Sequence, residues 1–453
     1  MKVTAILLAA GQGTRMKSDL PKVLHPLCGK PMLWHVLEAL QVATTEKPVV
    51  IVGHGASEVE KYVGDTAQCV LQEPQLGTAH AAMQAEALLK GKTDYVIVTY
   101  ADMPLLRGET FRQLLETQRS NPGPFSLLTV IADDPRGFGR IVRKADGTVA
   151  AIVEEYVATP EQRNIKELNV GAYCFKAEWL WEALQRIEKN PKKGEYYLTD
   201  IVEVAVKDHL PVQAVVHDDF IETIGINTRI HLSEAEAALR MRINREHMLN
   251  GVSMMDPVST YIDVGVKIGM DTTILPNTDL HGNTTIGERN VIGPNTIIRD
   301  TTIGNDCKIL ASVLEGAVLE DDVDMGPFAR LRKGAHLKSH VHMGNFGEVK
   351  DSILHEGVKM GHFSYIGNAN IGARTNIGAG TITANYDGEK KNPTEIGEDA
   401  FIGSDTMLVA PLKLGDGART GAGAVVTKNV PADTLVVGMP ARAIRKLERK
   451  TKR

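Results

Sequence analysis

"IGEDAFIGSDTMLVAPLKLGDGARTGAGAVV", residues 396–426, places Ile396, Ile402, Leu408, Leu414, Thr420 and Val426 at intervals of six. Ile286, Ile292 and Ile298 keep the same interval earlier in the chain. Six is the period of a parallel β-helix, in which short flat strands meet at tight corners and successive coils stack. Small residues stand where the corners fall, since Gly287, Gly293, Gly397, Gly403, Gly415 and Gly421 each follow a member of the series. An ordinary glycine-rich β domain has no reason to hold the interval, so residues 251–453 are read as a solenoid. Residues 384–395, "ANYDGEKKNPTE", break the count. They are expected to protrude as a loop, the part of a rigid scaffold that commonly carries function.

Upstream, the text changes character. "TRIHLSEAEAALRMRINREHMLN", residues 228–250, is rich in helix formers, with Glu236 and Arg240 spaced for an i,i+4 pair and Gly251 as a stop. It reads as a linker helix over 230–250. Within 1–229, apolar runs at Val3–Ala10, Val49–Val52, Tyr95–Tyr100 and Phe125–Val130 alternate with helix-like segments such as Met32–Ala43 and Thr78–Leu89. That alternation predicts a layered α/β domain on a mostly parallel sheet.

Composition narrows the function. The 453 residues carry 51 Lys and Arg against 56 Asp and Glu, a formal charge of −5. Such a balance provides no global field for nucleic acid or anionic lipid, so neither is expected as a partner. Cys28, Cys69, Cys174 and Cys307 are scattered without a CxxC pair, which argues against disulfides or structural zinc and for reduced thiols in the cytoplasm. The N-terminal apolar run suits a buried strand better than a signal peptide, and no stretch reaches membrane-spanning length.

A local anion site is the remaining option, and "LLAAGQGTRMKSDLPK" at 7–22 offers one. It lacks the third glycine of a dinucleotide fingerprint and the Gly-Lys-Ser/Thr of a P-loop. Glycines after a buried strand still let backbone N–H groups approach phosphate, and Arg15 and Lys22 supply countercharge. A strand, a turn and a solvated basic face would read the same from this stretch alone.

"LAAGQGTRM", "LPKVLHPLCGKPM", "QLGTAHA", "YADMPL" and "GEYYLTDI" resemble the sugar-nucleotide pyrophosphorylases, and the hexads resemble the hexapeptide acyltransferases. Joined in this order, with "GHFSYIGNANIGARTNIGAGTITANYDG" at 361–388, they resemble the bacterial bifunctional family that acetylates glucosamine-1-phosphate and uridylylates the product. The resemblance implies a Rossmann-like nucleotidyltransferase domain, then a left-handed parallel β-helix, in a cytoplasmic homotrimer. It implies synthesis of UDP-N-acetylglucosamine from acetyl-CoA and UTP with Mg²⁺. Leu8, Ala9, Ala10, Gly11, Gln72, Gly77 and Thr78 match segments that hold the nucleotide and read uracil, and Arg15 and Lys22 match phosphate-contacting cations. Tyr100, Ala101 and Asp102 flank the nucleotide; Gly139, Glu154 and Asn169 match amino-sugar positions; Asp102 and Asn227 match the two metal ligands.

In the second half, His362 matches the base that takes a proton from the attacking amine, a task suited to a group titrating near neutrality. By the same resemblance Arg332 and Lys350 meet the sugar phosphate, and Tyr365 and Asn376 the sugar. Ala379, Asn385, Tyr386, Ser404 and Ala422 meet acetyl-CoA. Met439 stands where many relatives have a coenzyme-contacting Arg; Arg442, Arg445 and the basic tail through Arg453 could substitute, or be a solvated tail. The trio His336, His340 and His342 contains a His-x-His pair, with no carboxylate nearby in sequence to complete a metal set.

Overall fold

The computed structural model describes residues 1–191 and 193–446, so the end of the basic tail, 447–453, lies outside the described residues. The chain divides into two compact units, Met1–Leu239 and the residues from Arg240 onward. The division falls within a single helix, Arg229–Leu249. The anticipated Glu236–Arg240 pair is not made: Glu236 accepts a hydrogen bond from the Cys28 N–H at 2.9 Å, and the Arg240 guanidinium lies 4.2 Å from the Tyr261 ring centroid.

The first unit is built on strands β1 (Val3–Leu8), β2 (Val49–Val52), β3 (Gln68–Leu71), β4 (Tyr95–Tyr100), β5 (Phe125–Ile131), β6 (Glu167–Lys176) and β7 (Gln213–His217). They lie side by side in the order β7-β5-β6-β4-β1-β2-β3. Alternate residues of β1 enter opposite cores, Ile6 and Leu8 on one face, Val3, Ala5 and Leu7 on the other. Both faces are covered, which is why these strands read as unbroken apolar runs. Pairing is parallel except at β6, antiparallel to both β4 and β5. A parallel return needs a long crossover, usually a helix; between β5 and β6 the chain makes instead a hairpin, Arg140–Arg143 with Val149–Val153, and a four-residue helix.

The helix expected over Thr78–Leu89 is two short ones, Thr78–Met83 and Glu86–Leu89. The Gln84 side-chain amide donates to the His80 carbonyl at 3.0 Å, the acceptor that the Gln84 backbone N–H would otherwise use. That N–H turns to Ala81 O, and the α-helical ladder breaks there.

Among the described residues the second unit winds three sheets of 12, 10 and 9 strands, parallel except for the last pair of the first. Tyr261, Asp279 and Ile297 pair in succession, 18 residues or three hexads apart. Ile274, Ile292, Ile309, Met325, Met343 and Met360 stack fully buried along one side of the coil. Corner threonines close their own turns, as Thr278 Oγ1 does on Leu275 O at 2.7 Å. The loop intervenes between Ile382–Ala384 and Thr394–Ile396, widening the step from Ile382 to its partner Met407 to 25 residues. After the last coil, Thr434–Gly438 pairs antiparallel with Ala441–Lys446, which carries Arg442 and Arg445; Met439 sits exposed in the turn between them.

Candidate active sites

Where β1 and β4 end, the first unit opens a cavity of about 550 Å³. Leu8, Ala9, Ala10, Gly11, Lys22, Gln72, Gly77, Thr78, Tyr100 and Asp102 all line it. Gly77 has φ +102°, and a Cβ there would lie 2.5 Å from Tyr196 O, so only glycine lets the wall approach this closely. Lys22 reaches across, its ammonium 2.5 Å from Asp102 Oδ2 and 2.8 Å from Asn227 Oδ1. A carboxylate and an amide oxygen thus converge on one point of positive charge. Arg15 is exposed on a short 3₁₀ turn and does not line the cavity; Ala101 is buried, its N–H bonded to Leu8 O.

A second cavity, about 190 Å³, shares Tyr100 and Asp102 with the first and adds Gly139, Glu154, Asn169 and Asn227. Asn169 is pinned by its amide N–H to Tyr173 Oη at 2.8 Å, and its backbone N–H donates to Gly139 O at 2.8 Å. Thr199 Oγ1 donates to Glu154 at 3.1 Å, while burial raises that carboxyl above its ordinary range. Burial also lifts Asp200 to about 6, with Glu203 and Glu154 adding to the effect. Thr199 and Glu195 also line these cavities; both come from "GEYYLTDI", where sequence alone does not distinguish them from their neighbours.

On the solenoid, Tyr365, Ile382, Met407 and Val425 are stacked partners. Three residues before each stand His362, Ala379, Ser404 and Ala422, so one corner carries all four, one per coil. His362 is exposed, and its ring makes no hydrogen bond among the described residues. Beside this column, Phe328, Phe346 and Phe363 are all exposed, the first two stacked at 5.5 Å. Tyr365 stands one coil above Glu348, which pairs with Arg332 at 2.9 Å.

The loop folds as a small hairpin: Asp387 accepts from the N–H groups of Glu389 and Lys390, and Asn392 N–H donates to Asn385 O. Asn385 Nδ2 donates to Asn368 Oδ1 at 2.7 Å, and exposed Tyr386 closes on Gly388 O. Lys391, unremarked in the sequence, is brought against Lys350; that contact, with a smaller push from Arg332, holds its ammonium below the ordinary lysine range. Asn376 lies on another sheet, between Lys359 and Phe401.

Each member of the histidine trio meets one carboxylate across a coil step. Glu320, Asp322 and Asp324 stand one coil below, 3.0 Å from His336, 2.7 Å from His340 and 3.2 Å from His342 respectively. Each imidazole has its own carboxylate, and the Asp322 contact raises His340 above its ordinary range. No group of three or more ligating side chains forms among the described residues.

Family models and relatives agree on both halves. A MobA-like NTP transferase domain matches residues 5–187, and the bacterial transferase hexapeptide repeat matches 265–300 and 393–428. The bifunctional protein GlmU of Streptococcus pyogenes serotype M3 is 48% identical over 434 residues, covering 96% of this chain and 94% of its own. GlmU of Streptococcus equi subsp. zooepidemicus is 44% identical over 445 residues, covering 98% and 97%. The chain belongs to the bifunctional GlmU family. Like the GlmU family it joins an α/β nucleotidyltransferase domain to a left-handed β-helix of hexapeptide repeats. This GlmU-family enzyme N-acetylates glucosamine-1-phosphate from acetyl-CoA and transfers uridylyl from UTP to the product, making UDP-N-acetylglucosamine for cell-wall synthesis.

Proposed function

We propose that uridylyl transfer takes place where the two cavities meet at Tyr100 and Asp102, and acetyl transfer at the solenoid corner of His362. The observation that carries the first assignment is the convergence of Asp102 and Asn227 on one cationic centre between a larger and a smaller cavity. The nucleotide fills the larger and the amino sugar the smaller, so the sugar phosphate oxygen faces the α-phosphorus. That oxygen attacks in line and pyrophosphate leaves, with no protein nucleophile needed.

Asp102 and Asn227 would hold Mg²⁺; one carboxylate and one amide suit a cation that keeps most positions for phosphate and water. Bound there, the ion would supply charge neutralisation to the transferring phosphates. Lys22 and, from the rim, Arg15 place further positive charge on them; Leu8 to Gly11 offer backbone, Gln72, Gly77 and Thr78 face the base, and Ala101 sets the strand end. Gly139, Glu154 and Asn169 orient the sugar.

In the second site, Arg332 and Lys350, joined by Lys391, receive the sugar phosphate, and Tyr365 and Asn376 its hydroxyls. His362 accepts the proton of the amine as the new C–N bond forms and the thiol leaves. Ala379, Ser404 and Ala422 leave a ledge for the coenzyme chain, with Asn385 and Tyr386 from the loop. Domain limits of 1–229, 230–250 and 251–453 fit this division of labour. A homotrimer would cover the exposed column Phe328, Phe346 and Phe363. A cytoplasmic setting agrees with four cysteines outside disulfides. The test supplies glucosamine-1-phosphate, acetyl-CoA, UTP and Mg²⁺, and follows free thiol and pyrophosphate separately in variants of each site. Asp102 variants should lose only pyrophosphate release and His362 variants only thiol release.

A further inference from the structure

Gln72, almost wholly buried at the end of β3, is held by its backbone N–H on Val52 O at 2.8 Å. Its side-chain Nε2 donates to Gly77 O at 2.9 Å, and the same nitrogen lies 3.2 Å from His80 Nδ1. Gly77 O can only accept, so the amide nitrogen must face it; turning the amide over would set two acceptors together. The second amide hydrogen points at His80, and it is satisfied only if Nδ1 carries a lone pair.

Gln84 makes the same demand on the other side of the ring, its Nε2 3.2 Å from His80 Nε2 and 3.0 Å from His80 O. A neutral imidazole has one acceptor nitrogen and cannot serve both amides. Gln84 is partly exposed and can turn to water, whereas Gln72 has no such alternative. The tautomer protonated on Nε2 therefore prevails, and burial disfavours a second proton.

We infer that His80 is a specificity-positioning residue: it locks the Gln72 amide so that the oxygen, not the nitrogen, is presented to the nucleotide cavity. A carbonyl oxygen there accepts from a base carrying N–H at ring position 3, as uracil does, and opposes the lone pair that cytosine carries at the same place. The device selects UTP over CTP without His80 touching the base. The inference rests on the reading that Gln72 faces the base.

The test measures pyrophosphate release by the full-length enzyme with UTP and with CTP, in Gln72→Leu, His80→Leu and His80→Asn variants. Asn Oδ1 can stand where Nδ1 stood. His80→Leu should lower the UTP-over-CTP ratio in kcat/KM by about tenfold, the scale of one misdirected hydrogen bond, through KM for UTP with kcat held. His80→Asn should restore most of the ratio, and Gln72→Leu should abolish it. A wild-type ratio in Gln72→Leu overturns the reading of Gln72 as the base contact. A collapsed ratio in Gln72→Leu with a wild-type ratio in His80→Leu overturns the role of His80 alone. Should His80→Leu fail to fold, ¹⁵N shifts of the His80 ring in the unaltered protein decide: an Nε2–H tautomer supports the inference, and an Nδ1–H tautomer overturns it.

Discussion

Gly367→Ala isolates the geometry of the proposed acetyl-transfer site. Gly367 ends the strand Ser364–Gly367 without a positive φ, so alanine is free of backbone strain there and the whole effect is steric. The added Cβ would lie 2.5 Å from Tyr365 Oη, 2.8 Å from Tyr365 Cζ and 2.8 Å from Asn385 Nδ2. The shortest of these is close to an ångström inside ordinary contact, and something must give. Asn385 is buried and tied to Asn368 at 2.7 Å, whereas Tyr365 is only half-buried, so the phenol ring swings outward. Overpacking of this kind costs about 1–3 kcal/mol, and misplacing a substrate-positioning group by about 1 Å can cost on the order of 10²-fold in rate. Acetyl turnover, followed as free thiol at saturating glucosamine-1-phosphate and acetyl-CoA, should fall by roughly 10- to 100-fold. Pyrophosphate release from UTP should be unchanged, and circular dichroism should show the solenoid intact. Wild-type thiol release in the folded variant would refute the claim that Tyr365 and Asn385 are held in place for this reaction.

Three further outcomes are expected. Asp102→Ala should abolish pyrophosphate release while thiol release continues; isothermal titration with Mn²⁺ should show weakened ion binding, and unaltered Mn²⁺ affinity would count against Asp102 as a ligand. His362→Ala should stay folded, since an exposed ring contributes little core, yet lose about 10²- to 10⁴-fold in acetyl turnover; near-normal turnover would move the base elsewhere. Asp200→Asn tests the half-buried carboxyl whose value the surroundings raise. Its folded value of about 6 exceeds the roughly 3.9 of an unfolded aspartate, so the native state binds the proton more tightly and stability falls as pH rises between those values. The melting-temperature advantage of the Asn variant should be near zero at about pH 4 and complete above about pH 6.5; a pH-independent difference would show that the carboxyl titrates normally.

The hexads and the strand and helix alternation were legible because each is a local pattern. Ile396 to Val426 declare a β-helix by interval alone, whereas the corner that stacks His362, Ala379, Ser404 and Ala422, spaced unevenly around the loop, emerges only from the strand pairing. Coil-to-coil proximity is harder to read where a loop intervenes. Lys391 comes against Lys350 only because the hairpin at 385–392 folds back, and the sequence left it unmarked. Glu320, Asp322 and Asp324 likewise meet the histidines only across a coil step, which is why the trio read as lacking carboxylates.

Local order determined the elements: apolar runs buried on both faces, one aliphatic per hexad turned inward, and a helix-forming bridge between the halves. Tertiary structure alone decided which distant groups share a point in space. Lys22, Asp102 and Asn227 meet across 80 and 205 positions of chain, and no periodicity encodes that meeting. The reversal of β6, the break at Gln84 and the opposing claims of Gln72 and Gln84 on one imidazole were settled the same way. Hydrogen-bond donors and acceptors in a packed interior must be satisfied by whatever the fold brings within reach, and that reach is set by the sheet and the coil, not by neighbours in sequence.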